Sequence, residues 1–438
     1  MKFISILIGK IVLKICELLG KGSAYPGNLA YKINKNILSS FERPKLVIAV
    51  TGSSGKGSTT KIISEVFKKS GYKVAYNDKD SNERAAIITT LLKNSTLTGK
   101  TKVDVAIFEI DERYVKYVFP YFKPDHVLIT NLTKDQPPRQ RDYDFILNEI
   151  KKGLDPSIKL TLNADDPYMY NFVNQNTNIN YYSINKNKYS YKKNKFEVLN
   201  ISRCPKCNSK LEYNYYHIEH IGSYYCPNCK FKNPKPINTI TDIDYTNNII
   251  TIDNKYKITT SNNMLFNLYN ILQAFTICNQ YIKDPYNITK IISNMASIKK
   301  IHNEITLNNR KVFILNNKCE NAHTYNQSVL FTTRDKNIKT IVISWKEISR
   351  RYNFDDISWL YDIEFELLNN VDKIIVCGPQ RYDIAVRLKL AKFNTKNIII
   401  KENIMDIKED IKNSKGNIYA ILNFDHVKPF TNLMEELK

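Results

Sequence analysis

Nine consecutive residues, Gly52-Ser53-Ser54-Gly55-Lys56-Gly57-Ser58-Thr59-Thr60, carry the plainest chemistry in this chain. Glycine and serine leave backbone N–H groups free to point at an anion, and Lys56 adds a positive charge. Set against a helix N-terminus, such a turn cradles phosphate, because the helix dipole favours negative charge there. The apolar run Leu46-Val47-Ile48-Ala49-Val50 before it reads as a buried strand, and Lys61 to Lys69 after it reads as a helix. An ordinary Gly/Ser turn would need neither. Position 50 is Val, so the spacing is G-x-x-G-K, two residues shorter than the common G-x-x-x-x-G-K loop. A nucleoside triphosphate is the implied ligand.

A second constellation is Cys204-Pro-Lys-Cys207 with Cys226-Pro-Asn-Cys229. Two thiolate pairs on tight knuckles complete a tetrahedral Zn²⁺ site, and four thiolates leave no open position for substrate. Two disulfides are the alternative, and they need an oxidising compartment. His217 and His220 lie between the pairs and read as surface or packing residues of a ribbon rather than ligands. Cys16, Cys278, Cys319 and Cys377 are scattered and read as small buried apolar residues.

Acids and amides follow the apolar runs. Glu109-Ile110-Asp111-Glu112 comes after Val103 to Phe108, where a carboxylate at the end of a parallel strand suits Mg²⁺ on a triphosphate. Asp111 and Glu112 read equally as favourable acids at a helix start. Thr130-Asn131-Leu132-Thr133-Lys134-Asp135-Gln136 supplies polar groups to the same crevice. Asn163-Ala164-Asp165-Asp166-Pro167 either faces the nucleotide or caps a helix.

These groups need a scaffold, and the chain has the length for one. At 438 residues it holds two or three domains. Strand-like runs at Leu46-Thr51, Val74-Tyr76, Val103-Phe108 and His126-Thr130 alternate with helical stretches, which predicts a parallel α/β core. The ribbon, about 202–236, interrupts the later part of this region. Ile240 to Thr260 alternates and reads as a hairpin turning at Asp253-Asn254, and Asn262 to Tyr281 reads as helix. Asn185 to Lys195 reads as a surface loop. Val312-Leu315, Thr340-Ser344, Lys373-Cys377, Ile398-Ile400 and Ile418-Leu422 predict a doubly wound C-terminal α/β domain. The expected division is 1–44 as a helical segment, 45–300 as the central domain and 301–438 as the C-terminal domain.

Lys+Arg of 65 against Asp+Glu of 43 gives +22, which favours an anionic partner: nucleic acid, membrane surface or phosphorylated substrate. An AT-rich coding bias toward Lys, Asn, Ile and Tyr explains the same excess equally well. Near the N-terminus, Ile4, Leu7, Ile8, Ile11, Val12 and Ile15 fall at helical spacing, interrupted by Lys10 and Lys14. That fits an amphipathic helix packed on the body or touching a membrane, and neither a transmembrane span nor a signal peptide. A cytoplasmic protein is expected.

In this order the motifs resemble the MurT family, a branch of the Mur ligases. Tyr25-Pro26-Gly27, the G-x-x-G-K loop, Glu109-x-Asp111-Glu112, Thr130-Asn131-Leu132 and Asn163-Ala164-Asp165-Asp166-Pro167 match in sequence. So do the ribbon, Asn267-Leu268-Tyr269-Asn270, Asp356-Ile357-Ser358-Trp359 and Arg381-Tyr382-Asp383. The resemblance implies a Mur ligase-type central parallel-sheet ATPase domain with a four-cysteine zinc-ribbon insertion and a C-terminal doubly wound α/β domain. It implies a carbon–nitrogen ligase using ATP, Mg²⁺ and Zn²⁺. Its reaction amidates the D-glutamate α-carboxylate of the lipid II stem peptide through an acyl phosphate, with ammonia from a GatD-type glutaminase subunit. On the same ground Gly52, Ser53, Ser54, Gly55, Lys56, Gly57, Ser58, Thr59, Asn131, Asn267 and Asn270 bind the nucleotide, with the Asn pair beside adenine. Ser58 and Glu109 hold Mg²⁺; Cys204, Cys207, Cys226 and Cys229 hold zinc. Lys56, Glu109 and Asp356 are the catalytic set, Asp356 completing a triad with the partner's Cys and His. No nucleic acid is expected, since the ribbon sits inside a ligase pattern.

The chain also departs from the family. Gly57 stands where Thr is usual, which moves the magnesium role to Ser58. Asp135-Gln136-Pro137-Pro138, Ile301-His302-Asn303, Asn321-Ala322-His323-Thr324-Tyr325-Asn326 and Asn423-Phe424-Asp425 replace other family elements. A re-purposed paralogue that keeps fold, zinc and partner surface is the alternative reading.

Overall fold

The computed structural model describes residues 2–20, 24–77, 81–134, 142–173, 178–197, 202–300, 304–317, 321–345 and 357–438. Two helices, α1 (Lys2–Leu18) and α2 (Tyr25–Ile33), lead into the first sheet system. There follow β1 (Leu46–Thr51), α3 (Lys56–Lys69), β2 (Val74–Tyr76), α4 (Arg84–Lys93) and β3 (Val105–Glu109). Next come α5 (Val115–Val118), β4 (His126–Ile129), α6 (Tyr143–Lys151), β5 (Lys159–Asn163) and β6 (Ile179–Ile184). A hairpin, β7 (Glu212–Ile218) and β8 (Ile221–Tyr225), forms the ribbon. Then β9 (Asn238–Asp244), β10 (Ile249–Ile252), β11 (Tyr256–Thr259), α7 (Leu265–Cys278) and α8 (Pro285–Lys300) complete this half. The C-terminal half runs β12 (Glu304–Leu307), β13 (Arg310–Asn317), α9 (Ala322–Thr332), β14 (Lys339–Ser344) and β15 (Val371–Cys377). It ends with α10 (Arg381–Leu390), β16 (Ile398–Lys401), α11 (Lys408–Lys412), β17 (Asn417–Asn423) and α12 (Phe424–Glu436).

The first sheet has the order β11-β10-β9-β6-β5-β4-β1-β3-β2, parallel from β2 across to β9. Its central strands read as continuous apolar runs because helices cover both faces; Val47, Ile48, Ala49 and Val50 of β1 are all buried. The chain leaves β1 toward β3 and β2 on one side and returns to β4 on the other. The turn after β1 therefore sits at the switch point, where the crevice opens beyond the strands' carboxyl ends. The second sheet, β12-β13-β17-β14-β15-β16, is parallel except for the edge strand β12.

Two expectations change, and one narrows. The segment read as one hairpin is a three-stranded antiparallel meander that prolongs the main sheet, β9 pairing with β6. The stretch read as a surface loop is stitched to the ribbon: Tyr191 exchanges backbone bonds with Tyr216 and is buried. His217 and His220 are interior packing residues, both under 4% exposed. Of the scattered cysteines, Cys278 and Cys377 are buried and Cys16 is half-buried, while Cys319 lies outside the described residues.

The ribbon tip is the joint between the halves. Glu219, at the β7–β8 turn, pairs its Oε2 with His323 Nδ1 of α9 at 2.8 Å and accepts Asn326 Nδ2 at Oε1, 3.0 Å. Burial alone would raise the Glu219 carboxyl, yet His323 and its other partners bring it down to about 2. Burial likewise opposes charge on His323, but Glu219 raises it above the usual range. The depressed Glu219 stabilises the fold above its ordinary pKa of about 4.3, an effect lost as pH falls toward the folded value. The raised His323 stabilises below its ordinary value of about 6.5, an effect lost as pH climbs through the raised one. The pair's contribution is thus greatest between about pH 4.5 and 6.5. We expect the stability gap between the native chain and Glu219→Gln to reach about 3 kcal/mol in that window and to narrow on both sides. Denaturant titrations from acid to mild alkali measure it; a gap independent of pH would refute the pairing.

Candidate phosphate-loop site and cysteine cluster

Lys56 opens α3, and the turn before it closes around the strand ends. Gly55 has φ +81°, and a Cβ there would stand 2.3 Å from Asn270 Oδ1, so only glycine both bends the chain and admits α7 so closely. Asn131, just past β4, clamps the loop: its Oδ1 accepts Ser54 N at 3.0 Å and Ser54 Oγ at 3.1 Å, and its Nδ2 donates to the Ser54 carbonyl. Ser53 N donates to the Asn131 carbonyl at 2.9 Å, and its hydroxyl bonds the Thr133 backbone. Thr59 turns inward, its hydroxyl donating to Gln273 Oε1 at 3.1 Å. The loop is thereby shaped before any ligand arrives.

Lys56 is buried. Its ammonium bonds the Gly52 carbonyl and pairs with Glu112 Oε1 at 2.8 Å, with both side chains under 10% exposed. Glu112 is therefore more than an acid at a helix start, whereas Asp111 is a cap that accepts Arg113 N. Glu109 ends β3 in register with Val50, the last apolar residue before the loop. Its backbone is held by Asn77 and its Oε1 by Asn82 Nδ2 at 3.1 Å. A Cβ on residue 57 would lie 3.0 Å from Glu109 Oε2. Gly57 therefore lets the carboxylate lie directly against the loop, with Ser58 next in line.

The crevice thus gathers residues 52–59, Glu109, Asn131 and Asn270. Asn267 lies one turn earlier on α7, where its Nδ2 donates to the Asn262 carbonyl at 2.9 Å. Asp166 caps the turn at Pro167, and Asp165 is buried, accepting Ile184 N and the Tyr269 hydroxyl, both at 2.8 Å. Burial pushes the Asp165 carboxyl up to about 7. Both acids serve structure rather than the loop. Asp356, Asp135, Gln136 and the 301–303 element lie outside the described residues. The C-terminal half reaches the crevice through Asn321 Nδ2, which donates to Thr133 Oγ1 at 3.0 Å, and through Asp362, paired with Lys134 at 3.2 Å.

The four clustered cysteines have all their Sγ atoms within 4.8 Å of one another. Cys204–Cys229 and Cys207–Cys226 are 3.6 and 3.5 Å apart, too far for disulfides and close to the roughly 3.8 Å edge of a tetrahedron with 2.3 Å Zn–S bonds. The two knuckles repeat one pattern. Asn208 N and Lys230 N, both at positive φ, bond back to the carbonyls of Cys204 and Cys226. The donor set fits zinc.

Residues 50–229 match the Mur ligase middle domain family, and residues 319–426 match the MurT ligase C-terminal family. In fold the chain is similar to a pseudomurein peptide ligase type C from Methanothermus fervidus, with TM-score 0.71, 22% identity, and 94% of this chain and 84% of that one covered. It is also similar to the MurF ligase from Thermotoga maritima in complex with ADP, with TM-score 0.61, 15% identity, and 94% and 83% covered. These likenesses define a Mur ligase-type α/β fold. Along its whole length the chain is 29% identical to the lipid II isoglutaminyl synthase (glutamine-hydrolyzing) subunit MurT of Staphylococcus aureus strain COL, covering 99% of this chain and 97% of that one. It is 25% identical to the subunit of the same name from Streptococcus pneumoniae R6, covering 98% and 96%. The chain thus carries a Mur ligase middle domain and a MurT ligase C-terminal domain, and it has homologues named MurT along its whole length.

Proposed function

We propose that this chain is the ligase subunit of a lipid II isoglutaminyl synthase, working in the cytoplasm at the membrane face. The observation that carries the reading is a phosphate loop with a buried lysine and a carboxylate pressed against Gly57. Because the Ser53 and Ser54 N–H groups are engaged by Asn131, it is the N–H groups at the start of α3, with Lys56, that would hold the triphosphate. Glu109 and Ser58 would hold Mg²⁺, a hard dication suited to oxygen donors that neutralises charge on the transferring phosphoryl group. Asn131, Asn267 and Asn270 position the nucleotide. The D-glutamate α-carboxylate attacks the γ-phosphorus, ADP leaves, and an acyl phosphate results. Ammonia from a GatD-type glutaminase then adds to the acyl carbon, and phosphate leaves to give the amide. Asp356 would complete the glutaminase triad. The four-cysteine cluster would hold a structural zinc ion.

The reading is tested by incubating the chain with lipid II, ATP, Mg²⁺ and ammonium salts, then again with glutamine and the partner subunit. Amidated lipid II with one ADP per amide is expected in both cases. Tight ATP binding with no amidation in either would instead favour a re-purposed paralogue, a reading suggested by the altered Asn321 to Asn326 element.

A further inference from the structure

We propose that the outward face of α1 docks this protein in the plane of an anionic bilayer. The helix is apolar on two opposite sides. Ser5, Ile6, Gly9 and Leu13 are buried against α2 and α4. A Cβ on Gly9 would meet Leu92 Cδ1 at 2.8 Å and Ala30 Cβ at 3.1 Å, so the helix lies hard on the body. Opposite this seam run Ile4, Ile11, Ile15 and Leu18, spaced by seven, four and three residues and therefore in one line. Each is about half exposed or more, Leu18 reaching 88%, and Phe3 and Leu19 flank them. A surface helix ordinarily hides its apolar stripe and gives water its polar one; here the stripe given to water is hydrocarbon.

The rim of the stripe selects the occupant. Lys14 is exposed beside it, and at the start of the helix Lys2, on the seam side, is exposed together with Lys100 and Leu97 of the neighbouring loop, whose Gly99 abuts Lys2. The one acid of the helix, Glu17, is paired with Lys93 at 3.5 Å. Apolar side chains rimmed by lysine suit the boundary between acyl chains and anionic headgroups. No helix among the described residues is long and apolar enough to cross a membrane, so α1 lies on the bilayer rather than in it.

The placement also serves the crevice. Helix α4, on which α1 rests, starts two residues after Asn82, the residue that holds Glu109. Its ten residues span about 15 Å. Helix α4 thus connects the helix that faces the bilayer to the end of the crevice that holds Glu109. This advantage rests on the lipid-linked substrate proposed above; the docking face itself does not.

The test is flotation of the full chain with vesicles of phosphatidylcholine, alone or mixed with phosphatidylglycerol, and free of lipid II. Binding is expected to the mixed vesicles and to weaken about tenfold without the anionic lipid. The Ile11→Ser, Ile15→Ser double variant and the Lys2→Glu, Lys14→Glu double variant should each lose about tenfold in vesicle affinity while keeping native melting temperature and ATP affinity. Absence of vesicle binding, or binding that neither variant changes, overturns the proposal. So does a native dimer in sedimentation that the isoleucine variant dissolves, since the stripe would then face a second copy. Because the vesicles carry no substrate, failure here leaves the ligase reading standing, and failure to bind ATP leaves this one standing.

Discussion

Lys56→Ala is expected to abolish measurable Mg-ATP binding and ligase turnover. The ammonium supplies charge-assisted bonds worth about 1.5–3 kcal/mol each, and two of them to phosphate amount to a hundredfold or more in affinity. The variant has a second defect. It takes from Glu112, which is 1% exposed, its 2.8 Å countercharge, so the fold should weaken by about 3–5 kcal/mol. The two effects separate in a pair of variants. Adding Glu112→Gln to Lys56→Ala removes the buried charge and should recover most of the stability, but none of the ATP binding. Calorimetric titration with Mg-ATP and a thermal melt on each variant decide it. Retained nanomolar-to-micromolar binding in Lys56→Ala would remove the loop from the nucleotide site.

Cys226→Ser should cost more than its own neighbourhood. Cys226 is fully buried, and the cluster's knuckles anchor the hairpin whose far end carries Glu219. Opening the cluster frees that hairpin and, with it, the tie to His323 and Asn326 in the C-terminal half. We expect one zinc per chain in the native protein by elemental analysis and none in the variant. The loss in stability should be at least about 3 kcal/mol, with the melting temperature falling by roughly 5–10 °C. Chelation of the native protein should give the same change reversibly. A variant that melts normally with full metal content would overturn the assignment.

What the sequence made legible was local. The strands β1, β3 and β4 announce themselves because buried parallel strands are nearly all apolar, and the cysteine spacing carries its geometry with it. Turns were harder to see because the chain seldom spends glycine on them. Among the described residues ten non-glycine positions have positive φ, and six of these are asparagine, including Asn248 before β10 and Asn254 before β11. The turn at Asp253-Asn254 is readable and the one at Asn248 is not, so the sequence alone suggests a hairpin where the chain forms a meander. Strand β12, with four residues against the longer β13, gives too short an alternation to separate. The Lys56–Glu112 pair and the Glu219–His323 pair join positions 56 and 104 residues apart. Contacts at that range follow from the packing of elements rather than from any spacing along the chain.

The occupied ammonium of Lys56 makes the loop an ion exchanger rather than an open basin. A phosphate ligand drawing on Lys56 would have to replace a buried carboxylate and a backbone carbonyl, so its gain would be a difference between two sets of contacts. That difference grows with the number of negative charges the ligand brings. On the proposed nucleotide reading, a triphosphate would clear that threshold by more than a diphosphate, and a monophosphate by least. The loop would then sort its ligands by valence, whatever base or sugar they carry.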